Sequence, residues 1–114
     1  MKKIFTIIIT LAFSSPLLAD YMGGRTPVYT YGSKYIEFGI DNPPTDKTCN
    51  YFGRHLRFDA TTPEGKNMYS MLLMAIASKR KVDVWFTPST LPGTDHVDGC
   101  KGSNMATLVN IGVR

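Results

Sequence analysis

The most reactive side chains of the chain are two histidines and two cysteines, set among nine acidic residues spread along its 114 positions. His96 lies close to Asp95 and Asp98, whose carboxylates could make it a general base or a weak metal ligand. The neighbouring Thr, Asp and Gly residues are turn formers, and they favour a polar loop over a reaction centre. His55 lies among arginines in a segment of alternating polar and apolar residues, which predicts a solvent-facing position on a strand.

Motifs of the common catalytic classes do not occur in the sequence. No serine occupies a Gly-x-Ser-x-Gly elbow, and there is neither a Gly-x-Gly-x-x-Gly pattern nor a P-loop. Asp95 and Asp98 lack the spacing and the further oxygen ligands of a calcium loop, and no two acids stand out as a hydrolase pair. We therefore expect a protein that is not an enzyme and that needs no metal or cofactor.

The two cysteines, Cys49 and Cys100, predict a structural disulfide. Metal ligation would need further ligands at suitable spacing, and a redox thiol pair would need a Cys-x-x-Cys motif; the sequence has neither. A bond that closes a loop of about fifty residues stabilises a fold by roughly 4 kcal/mol in the chain-entropy model. Such a bond persists only in an oxidising compartment.

The first 19 residues have the layout of a secretory signal peptide. Lys2 and Lys3 form a positive start, Ile4 to Phe13 is an apolar run, and a small residue, Ala19, precedes the expected cleavage point. The alternative is a retained anchor, but about ten apolar residues are too few to span a hydrocarbon core of roughly 30 Å. Cleavage after Ala19 would leave residues 20–114 as one domain that is secreted or periplasmic, with no membrane span.

Net charge gives no indication of a nucleic-acid partner. The formal charge of +4 includes Lys2 and Lys3, and without them 11 basic residues remain against 9 acidic ones. The single basic run, Lys79-Arg80-Lys81, stands where a helix is expected to end and where cations complement the exposed carbonyl groups.

Aromatic side chains offer a binding surface more readily than a catalytic one. Tyrosine and tryptophan present amphipathic rings that suit sugars and protein interfaces, although cross-strand packing would use the same residues. Trp85 lies opposite in pleat to Val84 and Phe86, so it is the first candidate for a contact surface. Tyr35 and Tyr51 are the further candidates.

The elements that would position these residues read as an α+β domain. The expected strands are Pro27–Tyr31, Tyr35–Ile40, Arg54–Asp59, Val82–Thr87 and Met105–Arg114, with a flexible lead-in over residues 20–26. Thr61 or Thr62 should cap a helix that starts at Pro63 and ends near Lys79. We expect a small antiparallel five-stranded sheet or an OB-like barrel, with the helix between strands 3 and 4; a two-layer sandwich of sheet and helix fits the same order. In the last strand, one face is expected to carry Thr107, Val109, Ile111 and Val113.

The predicted helix is apolar around almost its whole circumference. One sheet cannot cover such a helix, so another subunit or the N-terminal segment is expected to cover the remainder, unless its small and flexible side chains tolerate exposure. The candidate surface for a homo-oligomer comprises Met68, Met71, Leu72, Met74 and Ala75.

Three segments carry a resemblance to a known group of proteins. Phe58-Asp59, Gly65 to Ala75 and Lys81 to Trp85 resemble the corresponding parts of small exported proteins of gammaproteobacteria. Those proteins also have one cysteine before the third strand and another in the loop after the fourth. More distantly, the layout over residues 35–114 resembles the receptor-binding B subunits of pertussis-like and subtilase-cytotoxin-like A-B toxins.

The resemblance implies an OB-fold that forms a ring of five copies, with the helix lining the centre, and that binds glycans without catalysis. No glycan-contacting residue of those toxins can be placed on a position of this chain. The alternative from another class is a monomeric periplasmic or envelope protein that binds a protein partner, as an inhibitor or an accessory factor. A stable oligomer would favour the first function, and a monomer with one contiguous apolar patch would favour the second.

Overall fold

Six strands and one helix follow one another along residues 19–114, the part of the chain that the computed structural model describes. Apart from Ala19, the predicted signal peptide lies outside the described residues. The elements in chain order are β1 (Asp20–Arg25), β2 (Pro27–Tyr31), β3 (Tyr35–Ile40), β4 (Leu56–Asp59), α1 (Pro63–Ala77), β5 (Val82–Thr87) and β6 (Ala106–Val113). Two short 3₁₀ turns, His96–Asp98 and Gly102–Asn104, lie in the loop between β5 and β6.

The strands form one mixed sheet in the order β1-β5-β6-β4-β3-β2. The prediction of an α+β domain with one helix is confirmed, but the prediction of five antiparallel strands is wrong in two respects. β4 and β6 run parallel, and β1 adds a sixth strand, so that the helix follows the fourth strand. β1 comprises residues expected to form a flexible lead-in; it is held because Met22 is buried in the core and pairs with Val84 of β5.

The strands at the two edges of the sheet, β1 and β2, follow one another in the chain. β1 pairs with β5 at one edge and β2 pairs with β3 at the other, while only Thr26 separates β1 from β2. The Thr26 N–H donates to the Asp41 side chain at 2.6 Å, which fixes the bend between the two strands. The sheet is not closed by pairing between β1 and β2.

The core lies between the helix and one face of the sheet. Alternate residues of β3, β4 and β5 enter it, among them Phe38, Leu56 and Val84, all fully buried. In β3 the opposite face is buried too, because a loop covers it. A Cβ at Gly39 would collide with the backbone carbonyl of Gly53, so this close approach of the loop requires a glycine.

The helix begins and ends as its sequence predicts. The Thr62 side chain accepts a hydrogen bond from the Gly65 N–H at 2.9 Å, and Pro63 occupies the first helical position. The last helical residue is Ala77, followed by Ser78 as C-cap and by Lys79 with a left-handed φ of 58°.

The predicted face of the last strand is wrong because β6 contains a bulge. Trp85 pairs with Asn110 and Phe86 with Leu108, so Val109 is the extra residue between two paired positions. Thr107 and Val109 are therefore exposed together with Asn110, while Ile111 beyond the bulge is buried. A regular period of two, on which the prediction relied, does not continue through a bulge.

The disulfide joins Cys49 to Cys100, as predicted, with a Cα–Cα distance of 5.9 Å. Both cysteines are buried and form a small cluster with Met105, against which Tyr51 packs. This cluster is distinct from the main core, and Tyr51, which packs against it, belongs to the candidate site described below.

Candidate functional site

The most developed site is an open depression of about 530 Å³ on the outer side of β2 and β3. We call it the aromatic surface, and it is lined by Tyr29, Tyr31, Glu37, Tyr51, Phe52 and Arg54. Tyr29, Tyr31 and Phe52 are between 51% and 61% exposed and lie together, whereas exposed apolar side chains that are scattered singly carry no functional meaning.

A tight turn presents Phe52 at the rim of the aromatic surface. Tyr51 and Arg54 exchange backbone hydrogen bonds at 2.9 and 3.1 Å, so Phe52 and Gly53 form a two-residue hairpin loop. Both have positive φ, 54° and 83°, a conformation that suits Gly53 but costs a residue such as Phe52 on the order of 1 kcal/mol or more.

Side-chain contacts hold this turn in its strained form. Asn50 Oδ1 accepts from the Gly53 N–H at 2.6 Å, and the Tyr29 hydroxyl donates to the Phe52 carbonyl at 2.7 Å. The Phe52 ring also stacks on His96 with 3.9 Å between ring centroids. The fold thus keeps an exposed aromatic ring in a place that local preferences disfavour.

A buried ion pair lies at the floor of the aromatic surface. Arg54 Nε donates to Glu37 Oε1 at 2.9 Å, and both residues are only 8% exposed. The Arg54 guanidinium lies 4.3 Å from the Tyr31 ring centroid and 5.2 Å from that of Tyr51, distances at which cation–π attraction acts. Glu37 therefore fixes the cation against which two rings of the site pack.

Tyr35 and Arg57 extend the aromatic surface along β3 and β4. Sheet register places Tyr31, Glu37 and Arg57 side by side on three adjacent strands. The Arg57 guanidinium lies 4.0 Å from the Tyr35 ring centroid, and its Nε lies 3.8 Å from the second Glu37 oxygen. Two guanidinium groups thus share one carboxylate.

Of the three rings predicted to form a contact surface, the structure groups two. Tyr35 and Tyr51 are linked through the Arg57–Glu37–Arg54 chain of charges. Trp85 lies on β5, three strand positions from Tyr35 in the sheet. There Trp85 is half-buried and packs against Tyr21, with 5.0 Å between ring centroids.

The loop around His96 is polar, as predicted from its sequence. Asp95 accepts hydrogen bonds from the Asp98 and Val97 N–H groups, and these bonds hold the pKa of Asp95 below its usual value. The carboxylate therefore caps a 3₁₀ turn, while the His96 imidazole lies against Phe52. His96 therefore contacts the rim of the aromatic surface through Phe52.

His55 was predicted to face solvent, but it is half-buried and lines a second cavity. Its Nδ1 accepts a hydrogen bond from the Ile40 N–H at 3.2 Å, and burial lowers the pKa of His55. The cavity, which we call the polar cavity, has a volume of about 260 Å³ and lies next to the disulfide. Its lining residues are Pro43, Thr45, Thr48, Cys49, Asn50, His55, Gly93, Thr94, Asp95 and Asp98.

The helix residues predicted to meet another subunit lie at different depths. Leu72 and Ala75 are buried against the chain's own sheet, Met68 and Met71 are half-buried, and Met74 is exposed. Leu73, next to Met74, is exposed as well.

A groove of about 390 Å³ runs between the helix and the bulge of β6. Its lining residues are Glu64, Asn67, Met68, Met71, Val109 and Asn110. Because Leu72 and Ala75 are buried within the chain, the exposed apolar surface of the helix is smaller than the sequence predicted.

The sequence interpretation missed Glu37, Phe52 and Arg54 as site residues. Two signals were present: Glu37 is the only charged residue in an otherwise apolar and aromatic strand, and Phe52-Gly53 stands at a turn. A lone carboxylate on such a strand needs a cationic partner, and the sequence could not indicate which of several arginines supplies it.

No family model, characterised protein or solved structure was found to match this chain. Within residues 19–114, no group of three or more His, Cys, Asp or Glu side chains is arranged to hold a metal ion. The same described residues contain no helix with the length and apolar character needed to cross a membrane.

Proposed function

We propose that this protein is an exported, non-catalytic binding module whose aromatic surface binds a carbohydrate. The observation that carries the proposal is the set of exposed rings held around a buried ion pair. Rings of Tyr29, Tyr31 and Phe52 offer flat apolar faces, and Arg54 and Glu37 below them offer polar groups at fixed positions. A sugar ring has the matching character, with apolar C–H faces and a rim of hydroxyl groups.

The geometry supports a ligand that lies on the surface and does not enter a deep pocket. The depression is wide and open, and its rings are immobilised by the strained turn and by the guanidinium between them. Immobilised rings lose little conformational entropy when a ligand stacks on them. Strain retained at an exposed aromatic residue is typical of functional sites.

Chain topology supports the OB-like barrel within this proposal. Taken as one bent strand, β1 and β2 pair with β5 and β3 at the two edges of the sheet. Counted in this way, the sheet has five strands, and the helix follows the third of them. This arrangement, together with the disulfide, underlies the proposed likeness to exported toxin B subunits.

Assembly into a ring is the further part of this proposal. Leu73 and Met74 lie exposed on the outer face of the helix, where copies of the chain could cover them. The second candidate function uses the same surface: an envelope protein could bind there, with Val109 and the adjacent groove enlarging the contact.

Glycan-array binding by residues 20–114, with the disulfide intact, tests the proposed ligand class. Tyr31→Ala removes one of the two rings nearest Arg54, and we expect it to weaken every glycan signal at least tenfold, a loss of about 1.4 kcal/mol. Tyr21→Ala is the control, because it removes a tyrosine of similar exposure, 51% against 61% for Tyr31, from another part of the sheet. Equal losses in both variants, or no glycan signal in the parent protein, would contradict the proposal.

Light scattering coupled to size exclusion separates the two uses of the helix face. A five-subunit species that Met74→Glu converts to monomer would support the ring. A monomer in the parent protein would exclude it and favour a protein partner at the same surface.

A further inference from the structure

The polar cavity and the aromatic surface have no lining residue in common, but residues adjacent in the chain form a wall between them. Asn50 lines the polar cavity, while Tyr51 and Phe52, next in the chain, line the aromatic surface. On the other side of the wall, Asp95 lines the polar cavity, while His96 stacks on Phe52. A ligand that crosses the Phe52–His96 stack can therefore contact both sites.

His55 provides a hydrogen-bond donor to the polar cavity. Because Nδ1 accepts the Ile40 N–H, the neutral imidazole carries its proton on Nε2. No residue in the range 19–114 makes a hydrogen bond to that atom. Burial keeps the pKa of His55 low, so this donor is uncharged at neutral pH.

Several other polar groups of the cavity can act as acceptors. Asp95 is ionised at neutral pH, and Asp98 lines the same wall. The Thr48 hydroxyl donates its proton to the Pro44 carbonyl at 2.9 Å, which leaves its oxygen free to accept. Two carboxyl groups beside a neutral imidazole repel an anion, whereas hydroxyl groups can both donate to them and accept from His55.

We propose that the polar cavity is a second saccharide subsite, which takes an uncharged, polyhydroxylated sugar unit linked to the unit on the aromatic surface. This inference rests on the proposed function and makes it more specific. The ligand is at least a disaccharide, and its second unit bears no carboxylate or sulfate group. His55 Nε2–H donates to one hydroxyl group, and Asp95 accepts from another.

Two substitutions of His55 distinguish the acceptor role of Nδ1 from the donor role of Nε2. In His55→Asn the amide oxygen can replace Nδ1 as acceptor for the Ile40 N–H, and the donor at Nε2 is lost. In His55→Gln the longer side chain can place its amide near Nε2, which restores a donor to the cavity.

The test titrates each protein with uncharged probes and follows backbone amide shifts by NMR. The probes are lactose, N,N′-diacetylchitobiose and the methyl glycosides of their units, with glucuronic acid as the anionic control. We expect a disaccharide to shift Asn50 and Thr94 as well as Tyr31 and Phe52, and His55→Asn to weaken it about tenfold. We also expect His55→Gln to recover part of this loss and Tyr31→Ala to weaken all the uncharged probes.

Each outcome separates the subsite from the proposed function. Shifts confined to the aromatic surface, or equal affinity in His55→Asn and the parent protein, would overturn the subsite and leave carbohydrate binding in place. Shifts confined to the polar cavity would support the subsite and overturn the role of the aromatic surface. Glucuronic acid bound at the polar cavity as tightly as the uncharged glycosides would refute the proposed selectivity, and no shift with any probe would refute both proposals.

Discussion

Removing Glu37 should destabilise the protein far more than removing a surface charge. Glu37 and Arg54 are each 8% exposed, and their side chains form the 2.9 Å ion pair beneath the aromatic rings. In Glu37→Ala the Arg54 guanidinium loses its counter-ion but stays buried, and Arg57 loses its neighbour at 3.8 Å. Breaking a buried pair from one side costs about 3–5 kcal/mol, so we expect the free energy of unfolding to fall by that amount.

Equilibrium unfolding in urea measures this loss. With a slope of about 1–3 kcal/mol per molar urea, the midpoint should fall by roughly 1 M or more. The matched control is Lys47→Ala, which removes an exposed ion pair with Asp20 at 3.4 Å and should cost less than about 1 kcal/mol.

A double variant distinguishes an unpaired charge from lost packing. Glu37→Met with Arg54→Met removes both charges and keeps side-chain volume, so most of the stability lost in Glu37→Ala should return. Because the cation beneath the rings is gone, the double variant should bind carbohydrate more weakly than the parent protein does. If Glu37→Ala unfolds within about 1 kcal/mol of the parent protein, the pair is not the support of the site that its burial indicates.

Three further changes test other parts of the structure. Replacing Cys49 and Cys100 by Ser should lower the free energy of unfolding by about 4 kcal/mol, measured by chemical denaturation; a loss below about 1 kcal/mol would show that the bond constrains the unfolded chain little. Because burial lowers the pKa of His55 in the folded state, the unfolded chain binds a proton there more readily, and stability should fall as the pH decreases from about 7 through the folded pKa. His55→Asn should remove this part of the pH dependence, and identical profiles would contradict it. Phe52→Asn, which places a residue suited to positive φ in the turn, should leave thermal stability equal or higher while weakening carbohydrate binding; a loss of more than about 1 kcal/mol would contradict the assigned strain.

Elements with strong local signals could be predicted from the sequence. β2, β3 and β5 have the predicted bounds, and the helix begins at Pro63 as its capping residues indicate. Each of these elements carries its own pattern, such as the Thr62 cap or the alternation in β5, which does not depend on distant residues. Local pattern was sufficient wherever local preference and the final fold agree.

β1 could not be predicted because its stability is not local. Gly23 and Gly24 lower its strand propensity, and the segment is ordered by pairing with β5, about sixty residues away in the chain. The Gly24 N–H donates to Asp83 of β5 at 2.9 Å, a contact that nothing in the sequence of β1 indicates. The same limit applies to the parallel pair β4–β6.

The sequence predicted the types of residue that form the candidate site, but it could not predict which of them lie together. Exposed aromatic rings were expected, and Tyr35 and Tyr51 do lie at the site. Trp85 lies elsewhere because the helix and the crossover to β5 place its strand beyond β6. Arg54 and Glu37 are 17 residues apart, and only the sheet register and the tight turn bring them together.

The disulfide contributes more to the site than to the main core. Cys49 directly precedes the segment that carries Phe52 and Arg54, and Cys100 closes the loop that carries His96. That loop contains only two short 3₁₀ turns and is tied to the first segment by a few backbone hydrogen bonds, so the disulfide is the covalent link that keeps the two walls of the site at a fixed distance. The cysteines pack in their own small cluster, apart from the helix and the core face of the sheet. Reduction should therefore weaken ligand binding before it unfolds the sheet, because the Phe52–His96 stack depends on the link more directly than the core does.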